Sequence, residues 1–274
     1  MKRATGNARQ LGFTLIELLA ALGIFLLICG AAFTLLASSQ QRYQTDSQVL
    51  VSFQEARLGL DQMVRDINDA GFPPPTFVNT DPTQVATSPF AWSPGYTTPN
   101  PCTVGVSCIT PGDFDLIIET NPNPQDATSQ VQWIRYQLQL PPAVPVPTLM
   151  RGMAPKQAGD DPAVDTGSTL APFVQNVVNN SPNDQIGNFQ LSVSNPAVFP
   201  GGNPVPIFTY TCDTPTAPQY PPPVCSAAGA DNMPANIRDV AITLIVAAPL
   251  PDATTGHPRL VQLSARGRRI NPNQ

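Results

Sequence analysis

Glu17 is the residue whose chemistry most needs an explanation, because it lies inside an apolar run. Residues 12–28 read GFTLIELLAALGIFLLI, and this run is long enough to cross a bilayer. A carboxylate inside a membrane span costs at least a few kcal/mol of free energy. Glu17 is therefore expected to have a partner or a functional role.

The residues before this run predict its orientation. Lys2, Arg3 and Arg9 are positive, and nothing before Gly12 is acidic. Because Lys and Arg are enriched on cytoplasmic flanks, the N-terminus is expected to stay inside and the rest of the chain to be exported. A plain secretory signal has its small-residue cleavage site after the apolar run, whereas the distinctive Gly12-Phe13 junction lies before it.

The segment GFTLIE, from Gly12 to Glu17, resembles the class III signal of type IV prepilins and type II secretion pseudopilins. The resemblance implies that a membrane aspartyl peptidase cuts after Gly12 and N-methylates the new N-terminal residue, Phe13. It also implies that Glu17 pairs with the free amine of a neighbouring subunit's first residue. Such a pair is weakly screened in lipid, so it would set the register of the incoming subunit. The alternative is an uncleaved signal anchor with an incidental Glu17.

No arrangement typical of an enzyme is visible in the sequence. It has no Gly-x-Ser-x-Gly, no Walker loop and no His-Glu-x-x-His, and its one histidine, His257, lies in a predicted turn. A non-enzymatic protein without a cofactor is therefore expected.

Two polar loops are weak candidates for calcium. Asp160, Asp161 and Asp165 supply the oxygen ligands that Ca²⁺ prefers, but the spacing is not that of an EF-hand and no Glu closes the loop. A solvated loop is the favoured interpretation. A weaker candidate of the same kind comprises Asn121, Asn123 and Asp126.

Charge argues against nucleic acid as a partner. The net charge is -5 and 12% of the residues are charged. The only clustered positive charge after the leader is Arg266-Gly267-Arg268-Arg269, which is interpreted as a solvated strand end.

Cysteine usage fits an exported domain. Cys29 lies in the apolar run and is expected to be an inert packing residue. The other four cysteines predict two disulfides, and sequence allows three pairings. The two local pairings are favoured because each would staple a Pro-rich loop: Cys102 with Cys108, and Cys212 with Cys225.

Proline divides the chain. None of its 33 Pro residues precedes Pro73, so residues 13–70 are predicted to form one helix that Gly71 and Pro73 end. The predicted organisation is a leader at 1–12, a transmembrane or filament-core half-helix at 13–37, an amphipathic half-helix at 38–71 and an exported β-rich domain at 72–274. The amphipathic half has polar residues, including Asp66, mostly off an apolar stripe of Val49, Phe53, Ala56, Leu60, Met63 and Ile67.

The rest of the chain is expected to be strands and loops. Phe90, Trp92 and Tyr96 lie in a long irregular region at 76–110 and either pack it onto a sheet, which is favoured, or form a ligand surface. Predicted strands cover 114–119, 131–140 (half-buried) and 148–151, followed by a polar loop at 159–168. A second group of strands is predicted at 173–179, 186–193, 206–210, 236–247 and 259–268.

That order resembles the large minor pilins of the PilW type and, equally, the J-type minor pseudopilins of type II secretion. The fold is therefore expected to be α+β and pilin-like, with a long N-terminal helix packed on antiparallel sheet. The implied function is that of a minor type IV pilin in pilus assembly or initiation. The alternatives are a minor pseudopilin of type II secretion and a membrane-anchored extracytoplasmic binding module.

The resemblance also implies partners and a location. The partners are other pilin or pseudopilin subunits, a prepilin peptidase and an inner-membrane assembly platform; nucleic acid is not supported. The location is the bacterial inner membrane, crossed once with the C-terminal domain exported, and then a pilus or pseudopilus in the periplasm or at the cell surface.

Overall fold

The computed structural model places the chain in two compact units that divide inside its long helix, Met1–Asp46 (the N-terminal unit) and Ser47–Gln274 (the C-terminal unit). The predicted divisions after residues 12, 37 and 71 stay predictions. The residues that the structure describes are 13–74, 83–93, 102–123, 126, 129–180, 185–186, 189–191, 195–214, 221–252 and 255–270.

Helix α1 spans Leu15–Asn68, as the Pro-free sequence predicts. It ends where Gly71 adopts a positive φ of 84°, a conformation that glycine allows without strain. Within the C-terminal unit the predicted apolar stripe faces the core: Ala56, Leu60, Met63 and Ile67 are buried, and Val49 and Phe53 are half-buried.

The position of Asp66 corrects the predicted polar face of α1, because this residue is buried. Its Oδ2 accepts hydrogen bonds from the Tyr136 hydroxyl at 2.6 Å and from the Arg151 guanidinium at 3.0 Å. Gln62 donates to the other carboxylate oxygen at 2.8 Å. A carboxylate satisfied in this way can be buried, and helical periodicity alone does not reveal its partners.

The first sheet is antiparallel and has five strands in chain order. They are β1 (Phe90–Ala91), β2 (Asp115–Thr120), β3 (Gln132–Gln139), β4 (Thr148–Pro155) and β5 (Ala171–Gln175). The strands predicted at 114–119, 131–140 and 148–151 are confirmed as β2, β3 and β4.

Helix α2 (Pro162–Gly167) interrupts the predicted polar loop at 159–168. It packs its Ala163 against Trp133, which is fully buried, together with Ala91 and Ile117. Strand β3 is therefore buried on both faces along Trp133–Tyr136, and the prediction of a half-buried strand is wrong there.

The second sheet has three antiparallel strands in the order β10-β9-β8. Strand β8 (Phe208–Cys212) pairs with β9 (Ile237–Pro251), and β9 forms a hairpin with β10 (Pro258–Arg268). These strands confirm the predictions at 206–210, 236–247 and 259–268.

Two expectations about the second group of strands are wrong. Residues 171–175 form β5, which closes the first sheet instead of opening the second. Within the predicted single strand at 186–193, residues 186, 189 and 190 instead belong to two paired strands of a separate sheet, β6 (Gln185–Ile186) and β7 (Phe189–Gln190), and residues 187–188 and 192–194 lie outside the described residues. The sequence pattern predicts strands but does not identify which neighbour each strand pairs with.

The segment after β5 nevertheless joins the two sheets. Val177 bridges Val246, and the Val178 amide donates to the Ile245 carbonyl at 2.8 Å. The fully buried Asn179 accepts from the Ile245 amide and donates to the carbonyls of Val205 and Thr243. Both sheets and the C-terminal part of α1 consequently share one core cluster. The predicted α+β class, with the helix packed on antiparallel sheets, is confirmed.

Strand β10 contacts the last turn of α1. The Arg268 amide donates to the Asn68 side-chain oxygen at 2.9 Å, and the Ile270 amide donates to the Asn68 carbonyl at 3.2 Å. A Cβ built on Gly267 would lie 2.5 Å from a methyl carbon of Ile67, so the position requires glycine.

Both predicted local disulfides form, Cys102–Cys108 and Cys212–Cys225, and Cys29 is a free thiol. The aromatic residues of the irregular region do not form a ligand surface as a group, because Phe90 is fully buried in the core and Trp92 is half-buried. Tyr96 lies outside the described residues.

Candidate functional site

The candidate site is the N-terminal end of α1. Phe13 and Thr14 precede the helix, and Phe13 is 85% exposed. Gly12 lies outside the described residues, so the cleavage after Gly12 and the methylation of Phe13 stay predictions. From Phe13 to Gln44 every side chain is exposed except that of Cys29, which is half-buried.

Thr14 and Glu17 form a capping box. The Glu17 Oε2 atom accepts from the Thr14 amide at 3.0 Å and from the Thr14 hydroxyl at 2.9 Å. In return, the Thr14 hydroxyl oxygen accepts from the Glu17 amide at 3.4 Å. This exchange satisfies backbone amides that the first helical turn cannot pair internally.

The capping box gives Glu17 a partner that the sequence analysis did not identify. The signal was present, because Thr followed three residues later by Glu is the pattern of a capping box. Both bonds from Thr14 go to Oε2, and within the described residues Oε1 accepts no hydrogen bond. The carboxylate can therefore bind an external amine through Oε1 while it caps the helix through Oε2.

The helix that carries this site has the composition of a membrane span. Among the described residues, α1 is the one helix long and apolar enough to cross a bilayer. Its second half belongs to the C-terminal unit, where the stripe of buried residues faces the core.

The predicted acidic loop has a structural role for one of its members. Asp161 caps α2 by accepting from the Ala163 amide at 2.9 Å, and it also accepts from the Ser93 hydroxyl. Burial, together with the charges of Asp160 and Asp161, raises the pKa of Asp165. Over the described part of the chain, no three acidic, histidine or cysteine side chains are grouped so that they could hold a metal ion.

The second polar loop folds into a turn of its own. The Asn121 side-chain oxygen accepts from the Asn123 amide at 3.0 Å and from the Ser129 hydroxyl at 2.6 Å. These bonds are the kind by which Asn stabilises turns.

The basic cluster at 266–269 is solvated at Arg266 and Arg268, whose side chains are 53% and 58% exposed, but not at Arg269. Arg269 is buried, and burial lowers the pKa of its guanidinium to about 10. Arg266 and Arg268 lie 2.8 and 3.8 Å from the buried carboxylate of Asp239. The interpretation as a solvated strand end is therefore wrong only for Arg269, because local sequence does not show that its guanidinium donates to the Ala235 carbonyl, 34 residues away.

Residues 7–35 match the family model described as the prokaryotic N-terminal methylation motif. The chain matches no curated protein and no solved structure. The matched segment contains the Gly12-Phe13 junction, the capping box and most of the apolar part of α1 that follows it. The N-terminal part of the chain therefore has the methylation motif of type IV prepilin-like and pseudopilin-like proteins, on a helix long and apolar enough to cross a membrane.

Proposed function

We propose that this protein is a minor type IV pilin, a non-enzymatic subunit that acts in the assembly or initiation of a cell-envelope pilus. The observation that carries the proposal is Glu17, an exposed carboxylate at the start of an apolar helix inside the matched methylation motif. A charge in that position is costly in lipid unless another group compensates it.

Assembly begins in this proposal with cleavage after Gly12 by a prepilin peptidase, which then methylates the amine of Phe13. The C-terminal unit is exported, while the first half of α1 holds the subunit in the inner membrane. Other pilin subunits and an inner-membrane assembly platform are the partners.

Glu17 then pairs with the N-terminal amine of a neighbouring subunit. The capping box fixes the carboxylate through Oε2, so Oε1 is presented to the incoming amine without loss of the helix cap. A preorganised acceptor loses less conformational entropy on pairing than a freely rotating one.

The first experiment is the intact mass of the protein from membranes, with and without the prepilin peptidase. We expect the peptidase to remove residues 1–12 and add one methyl group to Phe13. An unchanged mass in cells that contain the peptidase would contradict the proposal and favour a membrane-anchored binding module.

A second measurement separates the charge of Glu17 from its capping role. Gln at this position keeps a capping oxygen but removes the charge. We expect Glu17→Gln to be cleaved normally but its incorporation into filaments to fall about tenfold or more, equivalent to about 1.4 kcal/mol or more of lost pairing energy. Thr14→Ala, which removes the capping hydroxyl and keeps the charge, is the matched control and should lose less. Normal incorporation of Glu17→Gln would exclude the amine pair.

Deletion of the gene distinguishes pilus from pseudopilus. Loss of surface pili with normal protein secretion supports the minor pilin. Loss of secretion with normal pili would assign the chain to a type II secretion pseudopilus, which uses the same N-terminal motif.

A further inference from the structure

A surface pocket of about 390 Å³ lies in the C-terminal unit, whereas the candidate site at the start of α1 belongs to the N-terminal unit. Its lining combines three guanidinium groups, one carboxylate and a proline wall: Arg238, Arg266, Arg268, Asp239, Pro221 and Pro222. Nothing in the proposed pilin function uses these residues.

The strand register arranges two of the arginines in a row. Arg268 pairs with Asp239 and Arg266 pairs with Ala241, so both arginines point to the same face of the second sheet. That face is opposite the core, which β9 lines with Val240, Ile242 and other alternate residues. Arg266 and Arg268 are 53% and 58% exposed.

Asp239 holds this row in place without neutralising it. Its side chain is only 6% exposed, and it accepts from Arg266 at 2.8 Å, lies 3.8 Å from Arg268 and also accepts from the Thr211 hydroxyl. Arg238 is 3.6 Å from Asp213. The three guanidinium groups of the lining thus face two carboxylates, Asp239 and Asp213, which leaves one positive charge in excess at the pocket of a protein whose net charge is -5.

The surface beside the arginines is open. The side chains next to them on the same face, Ala241 and Ser264, are short and exposed. Over the described residues, no large side chain next to the two arginines on this face therefore blocks an extended chain from lying along β10.

We propose that this pocket binds an extended acidic peptide segment of another protein, with carboxylates at alternate residues. Arg266 and Arg268 are two residues apart on a strand, a separation of about 6.6–6.8 Å, and alternate side chains of an extended peptide repeat at the same interval. Guanidinium groups bind carboxylates with two parallel hydrogen bonds, which favours this pairing. Pro221 and Pro222 supply an apolar wall for the residues between the acids.

A peptide fits this pocket better than a nucleic acid does. Proteins that bind single strands combine a continuous positive groove with aromatic stacking platforms. Among the described residues, the lining includes no aromatic side chain, and a carboxylate lies between the two exposed arginines.

The test is fluorescence anisotropy with the full chain in detergent micelles. The probe is a labelled Gly-Ser-Glu-Ser-Glu-Ser-Gly peptide, and the comparison peptide has the same composition with its two Glu adjacent, so that no two carboxylates are two residues apart. A labelled oligothymidine of similar charge is the third ligand. We expect the alternating peptide to bind tightest and its affinity to fall as salt concentration rises.

Matched variants locate the binding. Arg266→Gln with Arg268→Gln should weaken the alternating peptide about tenfold, because both guanidinium–carboxylate pairs are lost. Arg57→Gln with Arg259→Gln removes the same charge from exposed positions outside the pocket and should change binding less than about twofold. If the pocket variant melts at a lower temperature, Arg268→Gln alone replaces it, with an expected loss of about threefold.

Three results would overturn the proposal. They are no saturable binding of either peptide, equal weakening in the pocket and control variants, and tighter binding of oligothymidine than of the alternating peptide. The last result would assign the pocket to a nucleic acid. None of them bears on cleavage after Gly12, so this proposal and the pilin function can fail separately.

Discussion

Among individual residues, Glu119 and Lys156 form the most deeply buried ion pair of the described chain. The Lys156 ammonium lies 2.5 Å from Glu119 Oε1 and also donates to the Val85 carbonyl and the Thr87 hydroxyl. Thr87 donates to the same carboxylate oxygen through its amide at 2.7 Å. The pair connects β2 to the residue that follows β4 and to the segment before β1. Removing either partner would leave an uncompensated buried charge.

The pH dependence of stability should report on Glu119. Burial raises the pKa of its carboxyl above the ordinary 4.5, against the opposing effects of Lys156 and Thr87. The folded state therefore keeps this proton to a higher pH than the unfolded chain does. The resulting stabilisation is complete below the unfolded pKa and is lost as pH rises through the folded one. The melting temperature of the wild type minus that of Glu119→Gln should thus fall as pH rises above 4.5, the ordinary pKa of this carboxyl.

Asp61→Asn is the control for this measurement, because Asp61 is an exposed carboxylate of α1. Its melting-temperature difference from the wild type should vary less with pH. A wild-type advantage over Glu119→Gln that grows with pH would mean that Lys156, and not burial, dominates the pKa of Glu119.

The sequence predicted the roles of residues whose partners are close along the chain. It did not predict the roles of residues whose partners are far along the chain. The two disulfides close short loops, and the stripe of Ala56, Leu60, Met63 and Ile67 follows from helical periodicity. The partners of Asp66, by contrast, are 70 and 85 residues away, on β3 and β4. Such pairings depend on the order of the strands, which no local pattern contains.

At the level of secondary-structure elements, β10 packs closely on the last turn of α1. Gly267 lies so close to Ile67 that an added Cβ would be 2.5 Å from one of its methyl carbons and 2.7 Å from its Cβ. The glycine is thus required by packing and not by an unusual backbone angle.

Gly267→Ala should destabilise the C-terminal unit. Overpacking of this kind costs about 1–3 kcal/mol, because the strand or the helix must shift to relieve the contact. Gly112→Ala is the matched control, since its Cβ would meet its nearest atoms at 3.7 Å, an ordinary contact distance. Thermal unfolding of the full chain in detergent measures the difference, and equal melting temperatures for the two variants would contradict the packing argument.

Elements with a strong pattern of their own were predicted, and those that depend on neighbours were not. Strands β9 and β10 alternate or are continuously apolar, and they were predicted within a few residues. The buried outer face of β3 was missed because α2, which covers it, lies in a polar stretch of sequence. The assignment of residues 171–175 to the first sheet depends on pairing with β4, which the sequence does not specify.

For the C-terminal unit as a whole, the two disulfides should differ in importance. Cys212 and Cys225 are buried in the core cluster, where the loop they close also pairs through Thr211 and Val224. Cys102 and Cys108 are half-buried. Closing a loop of 13 residues instead of 6 changes the entropy only slightly, so the difference comes mainly from burial.

Cys212→Ala with Cys225→Ala should cost about 2–4 kcal/mol, which lowers the melting temperature of a unit this size by about 4–16 °C. Cys102→Ala with Cys108→Ala should lower it less. The comparison uses thermal unfolding in detergent. The reduced wild-type protein, which lacks both disulfides, is the reference, and its melting temperature should be lower than that of either variant. A larger effect at Cys102–Cys108 would contradict the assignment of the second disulfide to the core.

The contact between Asn68 and Arg268 joins residues 200 positions apart, and this separation has a consequence for the time course of folding. A ribosome that adds about 5–20 residues per second needs about 10–40 s to make the chain between them. During that interval the last turn of α1 exists without the strand that packs against Ile67. The newly made domain therefore stays partly open until its final residues are synthesised. During this interval chaperones and proteases have access to it.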